Sequence, residues 1–413
     1  MIRVLAALLL PVCSVVAAEP QPASAVSLLT RFREQITQEL EQAPHYSCLA
    51  TIDRSIRQSA KNKPLAHDRM RVRMAFLAAG EAYAWPDSPK FEHGALELLA
   101  RGDAGSSSGM SGWGRIAAGL PESSFSAAGE CSLNGRRGTS YDVHVPWTAS
   151  SYSATLGTRQ LVLPYAARFC LDPASSELIS LDVHAEQLKA SFASISETIV
   201  YAHTRIGASE WLTPRSRELS ILDEAGNLQT ARTSLSDCQP YADATTAESA
   251  AAAAQAATRR LPAKLTLDMK LETPISFERS SVGDPVAARL QHPIRAAGIE
   301  VPKGTLLNGR IGRLEEQFTP ERHYVVGLEF NTIAVDGAEF RFHARLTGPA
   351  VSYDRRPDAM LRQDPLMAPV WDARGLDIDT TDPTSRLGVF RVRSGKLEIS
   401  PGLHMIWETL SLD

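Results

Sequence analysis

Residues 68–86 read DRMRVRMAFLAAGEAYAWP. In the first half the period is two. Arg69, Arg71 and Arg73 fall on one face of an extended strand, and Met70, Val72 and Met74 fall on the other. A turn follows, and Gly80 to Pro86 continues as a second strand. One apolar and one charged face is the mark of a sheet with one side buried and one wet. The arginine row is therefore expected to be a solvated sheet face rather than an anion site.

Upstream the period changes. Val26, Leu29, Phe32, Ile36 and Leu40 recur at three- and four-residue spacing, which predicts an amphipathic helix over Ser24–Gln42, stopped by Pro44. Residues 1–18 have a positive Arg3, a short apolar run from Val4 to Leu10, and the small residues Val16-Ala17-Ala18. That pattern predicts a Sec-type signal peptide cleaved after Ala18, and the apolar run is too short to span a bilayer. Lipidation at Cys13 is disfavoured by Pro11 and Val12. A periplasmic or secreted protein with no transmembrane span is expected.

Downstream, residues 102–119 are rich in Gly and Ser, and GMSGWG (109–114) reads as a flexible loop. Gly105 to Gly109 fits the G-x-S-x-G pattern at Ser107, but a helix-like segment near residue 97 precedes it where a strand is required. Asn134-Gly135 lies between alternating segments, a strong hairpin signal. Strands are expected at 161–171, 178–183, 198–206, 218–222 and 228–235. The result is a long antiparallel meander with two helices.

Without Cys13, four cysteines are left: Cys48, Cys131, Cys170 and Cys238. An even number in an exported chain suggests two disulfides. Their spacing has no C-x-x-C pair, so a zinc site is not expected. Three connectivities are possible. Cys131–Cys170 and Cys48–Cys238 are favoured, the first pair joining neighbouring strands of the meander, the second tying together the ends of the module.

Residues 28–238 resemble the lipoprotein-localisation-factor (LolA) superfamily, a curved, unclosed β-barrel around helices. The residues that carry the likeness are the N-terminal helix, DRMRVRMAFLAAGEAYAWP, RFCLDPASSELISLDV (168–183) and WLTPRSRELSILDEAGN (211–227). The resemblance implies binding of a lipid or a lipoprotein acyl chain. No ligand-contact signature maps onto individual residues here.

Residues 241–262, with the alanine run 250–254, read as a linker. The fold class expected is α+β, mainly antiparallel β: a LolA-like unclosed barrel with helices (19–240), then a small all-β barrel (263–413) with a long loop at 349–383. Cutting within 241–261 is expected to release two independently folded pieces. In the second module, 264–272 alternates strictly and Gly283-Asp284-Pro285 reads as a turn. For the hairpin at Asp336-Gly337, a three-residue loop pairing Phe330 with Phe342 and Leu328 with Ala344 is preferred, because it keeps apolar faces together. Trp371 and Arg374 in the long loop are candidate partner contacts. Asp377, Asp379 and Asp382 lack the glycine and terminal glutamate of an EF-hand. The segments LETPIS, GDPVAARLQHPI and EVPKGTLLNGRI, spanning roughly 265–346, resemble the β-barrel domain of TrbI-type conjugation and type IV secretion channels. That resemblance implies a barrel and an envelope setting, not a pore.

Hydrophobic residues make up 44% of the 413 and charged residues 22%, which suits a globular chain with a packed core. A net charge of −4 gives no support to nucleic-acid binding. There is no H-E-x-x-H motif, P-loop or G-x-G-x-x-G, so no catalytic, cofactor or metal residues are expected. The reading is an exported, non-enzymatic envelope binding protein. The alternatives are an interaction scaffold with an envelope protein partner and, less favoured, a hydrolase.

Overall fold

The structure is a computed structural model. It describes residues 23–77, 80–86, 88, 91–93, 104–106, 109–110, 112–156, 159–188, 192–241, 260–296, 298–335, 337–348, 376–379, 386–393 and 395–411. The leader 1–18, the helix-like segment near 97, Ser107, residues 242–259 of the central linker and most of the loop at 349–383, with Trp371 and Arg374, lie outside the described residues.

Helix α1 spans Ala23–Gln42 and buries Leu28, Leu29, Phe32 and Ile36. Leu40 is 41% exposed, so the apolar stripe is shorter than its spacing suggests. Helix α2, Gly112–Gly119, corrects the expectation of a flexible loop. Trp113 and Ala117 lie one turn apart and are both fully buried. An interior glycine costs a helix about 1 kcal/mol. Burying a tryptophan's roughly 200 Å² contributes about 5 kcal/mol, so packing wins over propensity.

The first module's strands are β1 (Tyr46–Gln58), β2 (Lys63–Leu77), β3 (Gly80–Ala84), β4 (Glu92–His93), β5 (Ala104–Ser106), β6 (Phe125–Leu133) and β7 (Arg136–Val145). They continue with β8 (Ser153–Leu156), β9 (Arg159–Val162), β10 (Tyr165–Leu171), β11 (Leu178–Ala185), β12 (Phe192–Ile206), β13 (Ser209–Asp223) and β14 (Asn227–Pro240). Antiparallel pairing runs β6–β7–β10–β11–β12–β13–β14–β1–β2–β3–β4. Among the described residues β6 and β4 do not pair with each other, so the curved sheet is unclosed. Asn134 and Gly135 both have positive φ, as the two-residue turn between β6 and β7 requires. The single strand expected over 161–171 is broken at Leu163-Pro164, where proline has no N–H for the ladder. Its two parts, β9 and β10, belong to different sheets.

The second module contains β15 (Thr266–Leu271), β16 (Ile275–Ser276), β17 (Pro285–Leu290), β18 (Ile294–Ala296), β19 (Ile299–Val301), β20 (Leu306–Gln317) and β21 (His323–Val335). It ends with β22 (Ala338–Arg341), β23 (His343–Gly348), β24 (Leu376–Asp379), β25 (Gly388–Val392), β26 (Glu398–Ile399) and β27 (His404–Leu410). Pairing passes β15–β17–β20–β21–β22, continues through Phe342 into β23, and returns by β27 to β15. These pairings, linked between β22 and β23 by the chain through Phe342 and not by a ladder, enclose Leu267, Met269, Phe330, Phe342, Phe390 and Trp407.

The preferred register of the β21–β22 hairpin is corrected. Val335 pairs with Ala338 and Ile333 with Phe340, the register of a two-residue turn. The apolar faces are still kept together, because the strand is interrupted at Phe342. That break turns Phe342 and Ala344 inward, and β23 pairs with β27 instead of β21.

Candidate functional site

The first candidate is the concave face of the half-barrel. It is packed with side chains. Leu28, Leu29, Phe32 and Ile36 of α1 and Trp113 and Ala117 of α2 share one buried cluster with Tyr141, Val143, Phe169, Leu181, Ile199 and Ile221 of the sheet. The Trp113 ring lies 5.3 Å edge-on from Tyr165 and 5.6 Å from Tyr152. Burial pushes the Tyr165 hydroxyl up to about 12. An open groove of about 520 Å³ does exist, but along the polar side of α1, lined by Thr30, Arg33, Glu34, Thr37, Gln38 and Glu41.

Two carboxylates fasten α2 to the sheet. Glu197, fully buried on β12, accepts hydrogen bonds from Arg217 Nε at 2.8 Å and from the Trp113 indole N–H at 3.4 Å. Burial alone would lower the Arg217 guanidinium, but the Glu197 charge and hydrogen bond keep it raised and charged. Glu81 on β3 accepts from the Met110 backbone N–H at 2.5 Å and the Tyr83 hydroxyl at 2.7 Å. Both carboxylates thus serve internal donors.

The second candidate is the junction of the two modules, and it is built from the stretch 68–86. The apolar face of β2 does not stay within its own module. Met70, Val72 and Met74 belong to a buried cluster that continues through Val282, Ile311 and Leu314 to Leu267 and Trp407. The arginine face is not a free solvated face, which corrects the first expectation. Arg71 Nη1 contacts both Asp284 oxygens, at 3.0 and 2.9 Å. Arg69 pairs with Asp53 and donates to the Glu278 carbonyl, and Arg73 donates to Ser47.

Backbone bonds join the same elements. The Arg71 N–H donates to Val282 O at 2.8 Å, and the Val282 N–H donates to Arg69 O at 2.9 Å. Gly283 has φ +93°, and a Cβ there would lie 2.3 Å from the Arg71 carbonyl oxygen and 2.8 Å from the Trp85 ring. Only glycine fits that approach. Arg310 stacks over the other part of this contact, 5.3 Å from the Trp85 centroid. Further along, Ala66, His67 and Asp68 of β2 pair with Gln317, Glu316 and Glu315 of β20. At that seam Asp68 is held by Arg54 and Glu315 by Arg313. Burial pushes the Glu315 carboxyl up, but the Arg313 hydrogen bond and charge, with Gln317 and Arg54, bring it below its ordinary value.

The cysteines form two bridges, Cys48–Cys238 between β1 and β14, and Cys131–Cys170. The second pair is not on adjacent strands: β6 and β10 flank β7. The bridge passes Gly138 of β7, where a Cβ would sit 2.9 and 3.0 Å from the two sulfurs and 2.6 Å from Leu171 O. Among the described residues no group of three or more His, Cys, Asp or Glu is placed to hold a metal ion. Nor is any helix there long and apolar enough to cross a membrane. The junction residues went unread because a one-sided arginine row looks the same whether water or an aspartate 213 positions away faces it. The Gly283-Asp284-Pro285 turn was the available signal.

No protein-family model and no curated protein matches the chain. Solved structures similar to it include these two. One is a domain assigned as an outer membrane lipoprotein-sorting protein from Vibrio parahaemolyticus, at 9% identity, covering 54% of this chain and 96% of its own, with TM-score 0.27. The other is a DUF1329 family protein from Desulfovibrio piger, at 9% identity, covering 54% and 95%, with TM-score 0.27. The fold class stands on the strand pairings and helix packing described above.

Proposed function

We propose that the chain is an exported, non-enzymatic binding protein of the cell envelope that acts as an interaction and assembly scaffold. The observation that carries this reading is Trp113, fully buried in the concave face against Tyr152 and Tyr165. A half-barrel filled in this way offers partners its outer faces and loops rather than an interior. Two disulfides support an oxidising compartment, and so do the leader-like residues 1–18. The resemblance of 265–346 to the TrbI-type barrel adds an envelope setting. Crosslinking in cells tests it, with photoreactive residues at Trp371, Arg374 and on the barrel. Capture of envelope proteins supports the reading, and capture of nothing but the chain itself overturns it.

A second reading keeps the acyl-chain ligand that the LolA-type resemblance implies. It rests on α2, eight residues with glycine at 112, 114 and 119 and a single large side chain filling the concave face. An apolar chain entering on the α2 side would displace the Trp113 indole, with the α1 side chains Leu28, Leu29, Phe32 and Ile36 staying in the cluster. Native mass spectrometry after mild purification separates the two readings: a lipid adduct favours the carrier, and the bare chain mass favours the scaffold.

A further inference from the structure

We infer that the second module holds α2 in its seat, through the strand pair β2–β3. The contacts are contiguous. The Val282–Asp284 turn grips β2 by two backbone hydrogen bonds, one from the Arg71 N–H and one to the Arg69 carbonyl, and by a carboxylate on the Arg71 guanidinium. The same turn closes on Trp85, whose ring meets Gly283 on one side and Arg310 on another. Trp85 directly follows β3, which pairs with β2 from Arg73↔Ala84 to Leu77↔Gly80. Four residues back from Trp85, about 13 Å along an extended chain, Glu81 receives the Met110 N–H just ahead of α2. Gly109, at φ +60°, lies directly against the Glu81 carboxylate.

Helix α2 is suited to such control. Eight residues with an interior glycine do not make a stable helix in water, so its order depends on what holds it. Arg33 of α1 donates to the Ala118 and Leu120 carbonyls at the C-terminal end of α2, and the two carboxylate anchors of α2 differ in their support. Glu197 stands on β12, deep in the first module. Glu81 stands on a five-residue strand whose far end is clamped by the second module. Weakening the junction therefore releases the Glu81 anchor and spares Glu197 and Arg33. Such coupling is a shift in local opening, and amide exchange reads it directly. It holds whether the binding partner is a protein or a lipid.

The test is hydrogen exchange on the full chain with both disulfides intact, comparing wild type with Asp284→Ala and, as a gentler change, Trp85→Phe. The expected result is exchange about ten-fold faster at the α2 amides 113–119, with β10–β12 unchanged. Glu81→Ala should give the same rise at α2 while the Arg71 and Val282 amides stay protected, because it acts beyond the junction. If Asp284→Ala does not fold, Asp284→Asn is read in the same way. The inference is overturned if the junction variants deprotect the Arg71 and Val282 amides and leave α2 at wild-type protection.

Discussion

Arg71 and Asp284 meet across the two modules, one guanidinium nitrogen lying 3.0 and 2.9 Å from the two carboxylate oxygens. Asp284 also accepts the Ser281 N–H at 2.8 Å, so the turn that carries the carboxylate is itself fixed. The pair lies beside backbone bonds and a shared apolar core, and it marks the seam between the two halves.

Cutting the chain between residues 242 and 259 is therefore expected to leave the halves associated, contrary to the release expected from sequence alone. Asp284→Ala should weaken the association by about 1–3 kcal/mol, since it leaves a hydrogen-bonded charge without its partner. Size-exclusion chromatography of the nicked protein checks this. Co-elution of the wild-type halves, and separation of the variant's halves at lower denaturant, is the expected outcome.

Gly138→Val is expected to prevent the Cys131–Cys170 bridge from forming, because a side chain there meets both sulfurs and the Leu171 carbonyl. Free-thiol titration of the unfolded variant should show two thiols more than wild type. Loop-closure entropy for a separation of 39 residues puts the loss of stability at about 4 kcal/mol as an upper value. Valine at the neighbouring Thr139 should leave the thiol count unchanged.

Replacing Arg217 with methionine strands the Glu197 carboxylate, which is fully buried. Such a change costs about 3–5 kcal/mol. Glu197→Gln combined with Arg217→Met should cost less than Arg217→Met alone, because no unpaired charge is left. A double-mutant cycle by urea unfolding measures the coupling.

Glu315 gives the β2–β20 seam an acid sensitivity. Its carboxyl is below its ordinary value of 4.5 in the folded chain, so it binds a proton more readily when unfolded. Its contribution is then full above about pH 4.5 and is lost as the pH falls through the lower folded value. Glu315→Gln should lower stability at neutral pH and flatten the decline below pH 4.5, read from urea midpoints at a series of pH values.

Local pattern made much of this fold legible. Period two at 68–76, period 3.6 at 26–36 and Asn134-Gly135 each report a choice made by nearby residues. Trp113 was not legible, because two glycines beside an indole look like a loop until a concave surface exists to receive the ring. The β21–β22 register failed for a related reason. A face-matching rule assumes an unbroken strand, and the break at Phe342 lets the shorter turn keep the same residues inside. The partners of Arg71 and Glu81 come from residues 284 and 110, and strand periodicity carries no information about either.

Titration of the intact protein with a fluorescent acyl-chain probe tests the filled half-barrel most directly. The packing of Trp113, Phe32 and Leu28 against the sheet predicts no saturable binding to the wild-type chain. Saturable, one-to-one binding that quenches tryptophan fluorescence and is abolished by bulky substitutions on the concave face, such as Ala167→Trp, would contradict it.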